Sequence, residues 1–324
     1  MIITDPAPLF RGGIQLRPAL GAPRLDTEDR RLPADTADTA TIPAGMHLAF
    51  RSCDRRFVVH FDVGEPHPFS PPTRPDTFTL WLGDRVVASA VATAGSPAVL
   101  ELEGEASVSD SAQEFVLHLP EALRPSIHAI ESERAVEPVD DHPLVFAYGD
   151  SIVQGWSTSD PGLAWTARVG RMLGAEVCNL GFAGAARGEV AVAEQLAASP
   201  RPPAAVVLAF GTNAWTFPPT TRVAIAEALR IFLTTIRDAW PSTRIVFVSP
   251  IVRPDADDTP NRLGATLNDL REALESAAAE YADVALVRGL QIMTVDELVD
   301  GIHPGDEGHE LLAQAIANAI GPLR

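Results

Sequence analysis

The chain has 324 residues, 25 basic and 43 acidic, and every base is an arginine because the sequence contains no lysine. That excludes Schiff-base and pyridoxal enzymes, P-loop and protein-kinase sites, and serine-lysine dyads, all of which need an ε-amine. A formal charge of -18 opposes polyanions, so neither nucleic acid nor an anionic membrane surface is expected as a partner.

The length suits two domains, and 46% hydrophobic residues suffice for a substantial core. Cys53 and Cys178 are the only cysteines, too few for a disulfide framework or a cysteine zinc site. The opening MIITDPAPLFRGG lacks a basic segment followed by a continuous apolar one, and no stretch approaches the roughly 18 apolar residues of a membrane span. A soluble, cytoplasmic protein of a reducing compartment is the expectation.

In chain order, the segment from Arg24 to Thr41, rich in Asp, Thr and Pro, reads as a long loop. Period-two alternation then begins. Phe57, Val59, Phe61 and Val63 alternate with Val58, His60 and Asp62, and Phe78, Leu80 and Leu82 alternate with Thr77, Thr79 and Trp81, as in strands with one buried face. Gly83-Asp84 reads as a tight turn into a strand from Arg85 to about Thr93, and runs at Val99 to Leu102 and Phe115 to Leu119 continue the series. Short strands between Gly, Pro and Asp turns predict an all-β sandwich, jelly-roll-like, over residues 1–140. Glu131 to Pro143 reads as an acidic linker.

From residue 141 to 324 short apolar runs alternate with longer helical patterns. Leu144 to Tyr148, Glu176 to Leu180, Ala204 to Phe210, Arg244 to Ser249 and Val284 to Val287 read as buried strands. Leu163 to Leu173, Glu189 to Ala198, Thr221 to Trp240, Arg262 to Tyr281 and Glu307 to Ile320 read as helices. This order predicts an α/β domain with a doubly wound, parallel five-stranded sheet whose ligands sit beyond the carboxyl strand ends. Functional residues are therefore expected after strands one, two, three and five.

The residues there carry chemistry. The first strand runs into Gly149-Asp150-Ser151, which can present a hydroxyl and the serine's own N-H in the crevice. After strand two comes Asn179-Leu180-Gly181-Phe182-Ala183-Gly184, where a glycine lets backbone N-H approach a ligand. After strand three, Asn213 in Gly211-Thr212-Asn213 can aim its amide into the same crevice. Before the last helix, Asp300 and His303 stand three residues apart, so that a carboxylate can orient the imidazole that takes the serine proton. Each segment alone has an ordinary reading as a turn or a helix cap. Asp150, adjoining the serine, is badly placed to hold the far nitrogen of that imidazole and reads as a turn residue.

Together and in this order, the four segments resemble the SGNH, or GDSL, hydrolase superfamily, over about the last 180 residues. The resemblance implies a flavodoxin-like sheet, Ser151 as nucleophile, His303 as general base and then acid, and Asp300 as its partner. It implies an oxyanion hole of the Ser151 N-H, the Gly184 N-H and the Asn213 side chain, Gly184 fitting the spacing from Asn179 better than Gly181. One departure is Ala214, where the family's third block carries aspartate; it bears on a loop-stabilising contact rather than on the triad, since Asn213 itself is present. The substrate implied is a small-molecule ester or acyl donor, with no cofactor. Hydrolysis comes first. The first alternative is transfer to an alcohol of a natural product or sugar, since some relatives with an N-terminal sandwich resemble polyketide acyltransferases. The second is sugar-ester deacetylation with a glycan-binding sandwich.

Other candidates carry less. Asp300, His303, Asp306 and His309 could suggest a metal site, but Pro304 and Gly305 break any helix that would align them, and no metal is expected. His309 reads as a surface or packing residue of the last helix. The histidines at 47, 60, 67, 118, 128 and 142 read as structural or solvent-facing. Trp156 and Trp215 follow the serine and asparagine blocks and are candidates for the pocket wall. Cys178 reads as a buried apolar residue, and Arg187 as a surface arginine before a substrate contact.

Overall fold

The computed structural model describes residues 1–14, 24–65, 76–102, 111–216 and 218–323. Its first part carries strands β1 (Ile2–Thr4), β2 (Phe10–Arg11), β3 (His47–Ser52), β4 (Arg56–Asp62), β5 (Thr77–Leu82), β6 (Arg85–Val91), β7 (Ala98–Glu101), β8 (Gln113–His118), β9 (Ser126–Ser132) and β10 (Glu137–Pro138), with helix α1 (Ala34–Thr39) between β2 and β3. They form two antiparallel sheets, β1-β9-β4-β7 and β10-β3-β8-β5-β6, with β2 added to β3.

The alternation read from the sequence sets the sandwich core. Phe57, Val59 and Phe61 of one sheet face Phe50, Phe78 and Phe115 of the other. The Phe50 and Phe57 ring centroids are 5.1 Å apart and those of Phe61 and Phe78 4.9 Å, both edge to face. Burial of each phenylalanine stabilises this core by about 1.5–3 kcal/mol. Gly83 makes the β5–β6 turn at φ +58.

Trp81 and His118, off this core, are buried as well. The second part of the chain covers them. Trp81 Nε1 donates to Asp160 at 3.2 Å and the Arg171 guanidinium lies 4.6 Å over its ring. Gly162 leaves the room, since a Cβ there would stand 2.5 Å from the indole.

Two sequence expectations are corrected. Residues 24–41 are not simply a loop: they contain α1 and a fully buried Arg24 that docks on the second part of the chain. The segment 131–143 is not simply a linker, because β9 runs to Ser132 and β10 pairs with Arg51 and Phe50 of β3. His67 lies outside the described residues.

The second part carries β11 (Leu144–Gly149), β12 (Glu176–Gly181), β13 (Ala205–Ala209), β14 (Arg244–Val248) and β15 (Val284–Val287), all parallel in the order β12-β11-β13-β14-β15. Helices α2 (Ser151–Gln154), α3 (Trp165–Leu173), α4 (Val190–Ala197), α5 (Thr212–Thr216), α6 (Arg222–Ala239), α7 (Leu267–Ala278) and α8 (Asp306–Ile320) connect them. Residues of α4, α6 and α7 pack in one apolar cluster with the sheet, and residues of α3 and α8 in another. The sheet is thus covered on both faces, which is why its strands read as continuous apolar runs. Helix α7 starts later than periodicity suggests, because Thr266 and Asp269 form a reciprocal cap that fixes its first turn. The chain leaves β11 for β12 on one side and returns to β13 on the other, which opens a crevice at their carboxyl ends.

Candidate active site

At the end of β11 the chain turns at once into α2. A Cβ on Gly149 would stand 2.0 Å from the Ala209 carbonyl oxygen, and one on Gly181 2.0 Å from the Gln154 nitrogen. Only glycine lets α2 sit this close to the strand ends. Asp150 caps the helix, its Oδ1 accepting the Ile152 N-H at 3.0 Å. Burial pushes the Asp150 carboxyl up to about 6, against that hydrogen bond and the charge of Arg253.

Ser151 Oγ lies 2.8 Å from His303 Nε2, and His303 Nδ1 lies 2.7 Å from Asp300 Oδ2. A carboxylate only accepts, so Nδ1 carries the proton and Nε2 offers its lone pair to the serine hydroxyl. Burial lowers the His303 pKa, aided by Arg253, and the hydrogen bond and charge of Asp300 oppose the shift without cancelling it. Burial pushes Asp300 up, but hydrogen bonds from the His303 ring and backbone outweigh this and hold it below the usual carboxylate range. Neutral imidazole beside ionised carboxylate is the state in which Ser151 can lose its proton.

The loop after β12 has three residues in the left-handed region: Gly184 at φ +75, Ala186 at +63 and Gly188 at +85. Gln154 Oε1 accepts the Ala183 N-H at 2.9 Å, tying this loop to α2. Asn213, in the first turn of α5, donates one amide hydrogen to the Ala185 carbonyl at 2.6 Å. Its second amide hydrogen remains for another acceptor. Ser151, Gly184 and Asn213 thus follow the carboxyl ends of three adjacent strands. The Trp156 and His303 ring centroids are 5.5 Å apart. Trp215 is half-buried, donates to the Thr259 carbonyl at 2.7 Å, and lies 5.1 Å under the Arg253 guanidinium.

The sequence reading passed over Arg253, which follows β14, the one strand end it did not search. It is buried, held by Asp255 at 3.0 Å, and Nη1 donates to the Thr216 hydroxyl at 3.0 Å and the Thr212 carbonyl at 3.4 Å. Those bonds brace α5 on either side of Asn213. Ala214, standing for the family's aspartate, is fully buried in the apolar cluster.

The acidic and histidine residues of the last segment diverge. Asp306 accepts the Ser159 hydroxyl at 2.6 Å and N-H at 2.9 Å. His309 is a packing residue, fully buried, its Nδ1 accepting the Trp165 N-H at 3.2 Å. Burial pushes the Cys178 thiol well up, which leaves it unreactive. Arg187 pairs with Asp35 at 2.9 Å and donates to the Gly184 carbonyl at 2.7 Å. His60, His128 and His142 pair with Glu131, Asp62 and Glu114. His47 and His118 line a cavity of about 360 Å³ between the sandwich and α3. Neither Ser151 nor His303 borders that cavity.

A salicylyl-acyltransferase, SsfX3, from a tetracycline biosynthetic pathway has a similar structure, with TM-score 0.84 at 21% identity over 100% of this chain and 99% of that one. A protein of Bacteroides ovatus ATCC 8483 named as a GDSL-like lipase gives 0.79 at 21% over 98% and 96%. A family two carbohydrate esterase from Clostridium thermocellum, in complex with cellohexaose, gives 0.60 at 15% over 85% and 90%. At these identities the likeness is one of fold. No curated protein sequence matches the chain. Residues 147–311, half of the chain and all of the segments around Ser151, Gly184, Asn213 and His303, match the GDSL-like Lipase/Acylhydrolase family, and the chain belongs to that family.

Proposed function

We propose that the protein is a serine esterase that cleaves a carboxylic ester through an acyl-enzyme on Ser151. The observation that carries this is the hydrogen-bonded relay from Ser151 Oγ through His303 to Asp300, at 2.8 and 2.7 Å. Ser151 Oγ attacks the acyl carbon as its proton passes to His303 Nε2, and Asp300 stays ionised while it stabilises the imidazolium. The oxyanion that forms is met by the N-H groups of Ser151 and Gly184 and the free amide hydrogen of Asn213. Collapse expels the alcohol, which takes the proton from His303, and water then repeats the sequence in reverse roles. At the first position of α2, the Ser151 N-H has no acceptor within its own helix, which suits it to this use.

A second reading is acyl transfer, in which an alcohol replaces water as acceptor. What favours it is likeness to an acyltransferase across the whole of both chains, sandwich included. Sugar-ester chemistry finds support in the carbohydrate-esterase likeness, but the Trp81 face of the sandwich is covered by α3 and the loop before it rather than open to a glycan. No helix among the described residues is long and apolar enough to cross a membrane.

The test is product analysis with a panel of activated esters, with and without added alcohols. Free acid as the main product, lost in Ser151→Ala with the fold retained, is the expected result. Transfer product dominating over acid moves the protein to the second reading, and turnover by Ser151→Ala rejects the nucleophile.

A further inference from the structure

The loop from Phe182 to Gly188 holds three left-handed residues, one of them Ala186, and each non-glycine residue in that region costs on the order of 1–2 kcal/mol. Such a loop keeps one shape only if its surroundings over-determine it. Its supports come largely from a part of the chain far away in sequence. Arg24 Nη1 donates to the Asn179 carbonyl at 3.0 Å and to that of Gly181 at 2.5 Å, Nε and Nη2 hold Ile42 and Thr39, and the guanidinium lies 4.9 Å over Phe182. Thr36 Oγ1 donates to Glu189 Oε1 at 3.1 Å, and the same carboxylate accepts the Arg187 N-H and the Tyr148 hydroxyl. Asp35 holds Arg187 Nη1 at 2.9 Å while Arg187 Nη2 holds the Gly184 carbonyl at 2.7 Å.

We infer that residues 24–42 are a brace for the oxyanion hole, and that Asp35 and Arg187 are its positioning residues. The Gly184 carbonyl and N-H flank the same α-carbon, so pinning the carbonyl restricts the direction of the N-H. The brace reaches a second donor too, because Asn213 is anchored on Ala185 of this loop. The inference rests on the proposed roles of Gly184 and Asn213. It turns a stretch that reads as a loop, together with an arginine that reads as a surface residue, into parts of the catalytic apparatus that touch no substrate.

Asp35 has 43% of its side chain exposed and Arg187 16%, so Asp35→Ala is the milder test, and retention of the fold in Arg187→Ala is checked by circular dichroism. In Asp35→Ala and Arg187→Ala, kcat for p-nitrophenyl acetate is expected to fall about tenfold, less than the 10²–10³ of deleting a donor. KM and the acid limb of the pH profile should stay in place, since His303 and Asp300 are untouched. The double variant should be no worse than Arg187→Ala, and Arg187→Lys should recover part of the loss. Wild-type kcat in Arg187→Ala, or a rise in KM alone, overturns the brace. Ser151→Ala is measured alongside. If it still turns over, the proposed reaction fails, whereas if only Ser151→Ala is inactive the reaction stands and the brace fails.

Discussion

Asp300 holds His303 twice: Oδ2 lies 2.7 Å from the ring Nδ1, and Oδ1 accepts the backbone N-H of the same residue at 2.8 Å. Gly301, at φ +82, makes the turn that brings the two together. One carboxylate thereby fixes the tautomer of the imidazole and the direction from which it approaches Ser151. Asp300→Asn can keep the backbone contact through its amide oxygen but presents an NH₂ to Nδ1, so the ring flips its proton to Nε2 and can no longer accept from the serine. The expected loss in kcat is roughly 10³–10⁴-fold with KM little changed. Steady-state kinetics on an activated ester check this, and a loss below tenfold would remove Asp300 from the relay.

The pH dependence follows from the His303 environment. Burial and Arg253 hold its pKa below the ordinary histidine value despite Asp300, and only the neutral ring can act as base. Activity should therefore fall with acid only below about pH 6.5. Arg253→Gln removes a positive charge that disfavours imidazolium, so the acid limb should move to higher pH. Profiles of kcat/KM measure both, and a limb in the wild type above 7 contradicts the assignment.

How much of this was legible in the sequence depended on what stabilised each part locally. The parallel strands announced themselves because a sheet covered on both faces needs continuous apolar runs, and the hydrogen-bonded set of Ser151, His303 and Asp300 because its residues follow strand ends. The arm from Arg24 to Thr41 carries no apolar period, since its structure comes from an arginine and two threonines, Thr36 and Thr39, bonded to a segment more than 140 residues away. Strand β10 was hidden for a like reason. It is a glutamate and a proline, held by pairing with β3 and not by its own pattern. Arg253 could have been found, had the fourth strand end been searched as the other four were.

Asp150 gives a prediction about stability. Its carboxyl stands at about 6 in the fold against 3.8 for the free group, so the folded state binds a proton that the unfolded chain releases. That contribution is fully present below pH 4 and is lost as pH rises through 6, about 3 kcal/mol in all. Asp150→Asn keeps an oxygen for the Ile152 N-H and has no charge to bury. Denaturant unfolding at several pH values should show the variant gaining on the wild type between pH 4 and 7. A constant difference across that range would mean that the carboxylate is not destabilised in the fold.

Trp156 links pocket shape to proton affinity. Its ring lies 5.5 Å from that of His303, and burial is the largest cause of the lowered His303 pKa. Trp156→Ala should therefore move the acid limb upward, toward the ordinary histidine value, because the charged ring regains solvent. If Trp156 walls the proposed pocket, the same substitution opens space beside Ser151. Short acyl esters should bind less well, by about 1–3 kcal/mol in kcat/KM, while longer acyl chains gain room and lose less. The two effects can be separated, since the first appears in the pH profile of any single ester and the second in the ratio of two esters at one pH. An unmoved limb together with an unchanged ratio would place Trp156 outside the pocket, as packing for the loop that ends α2.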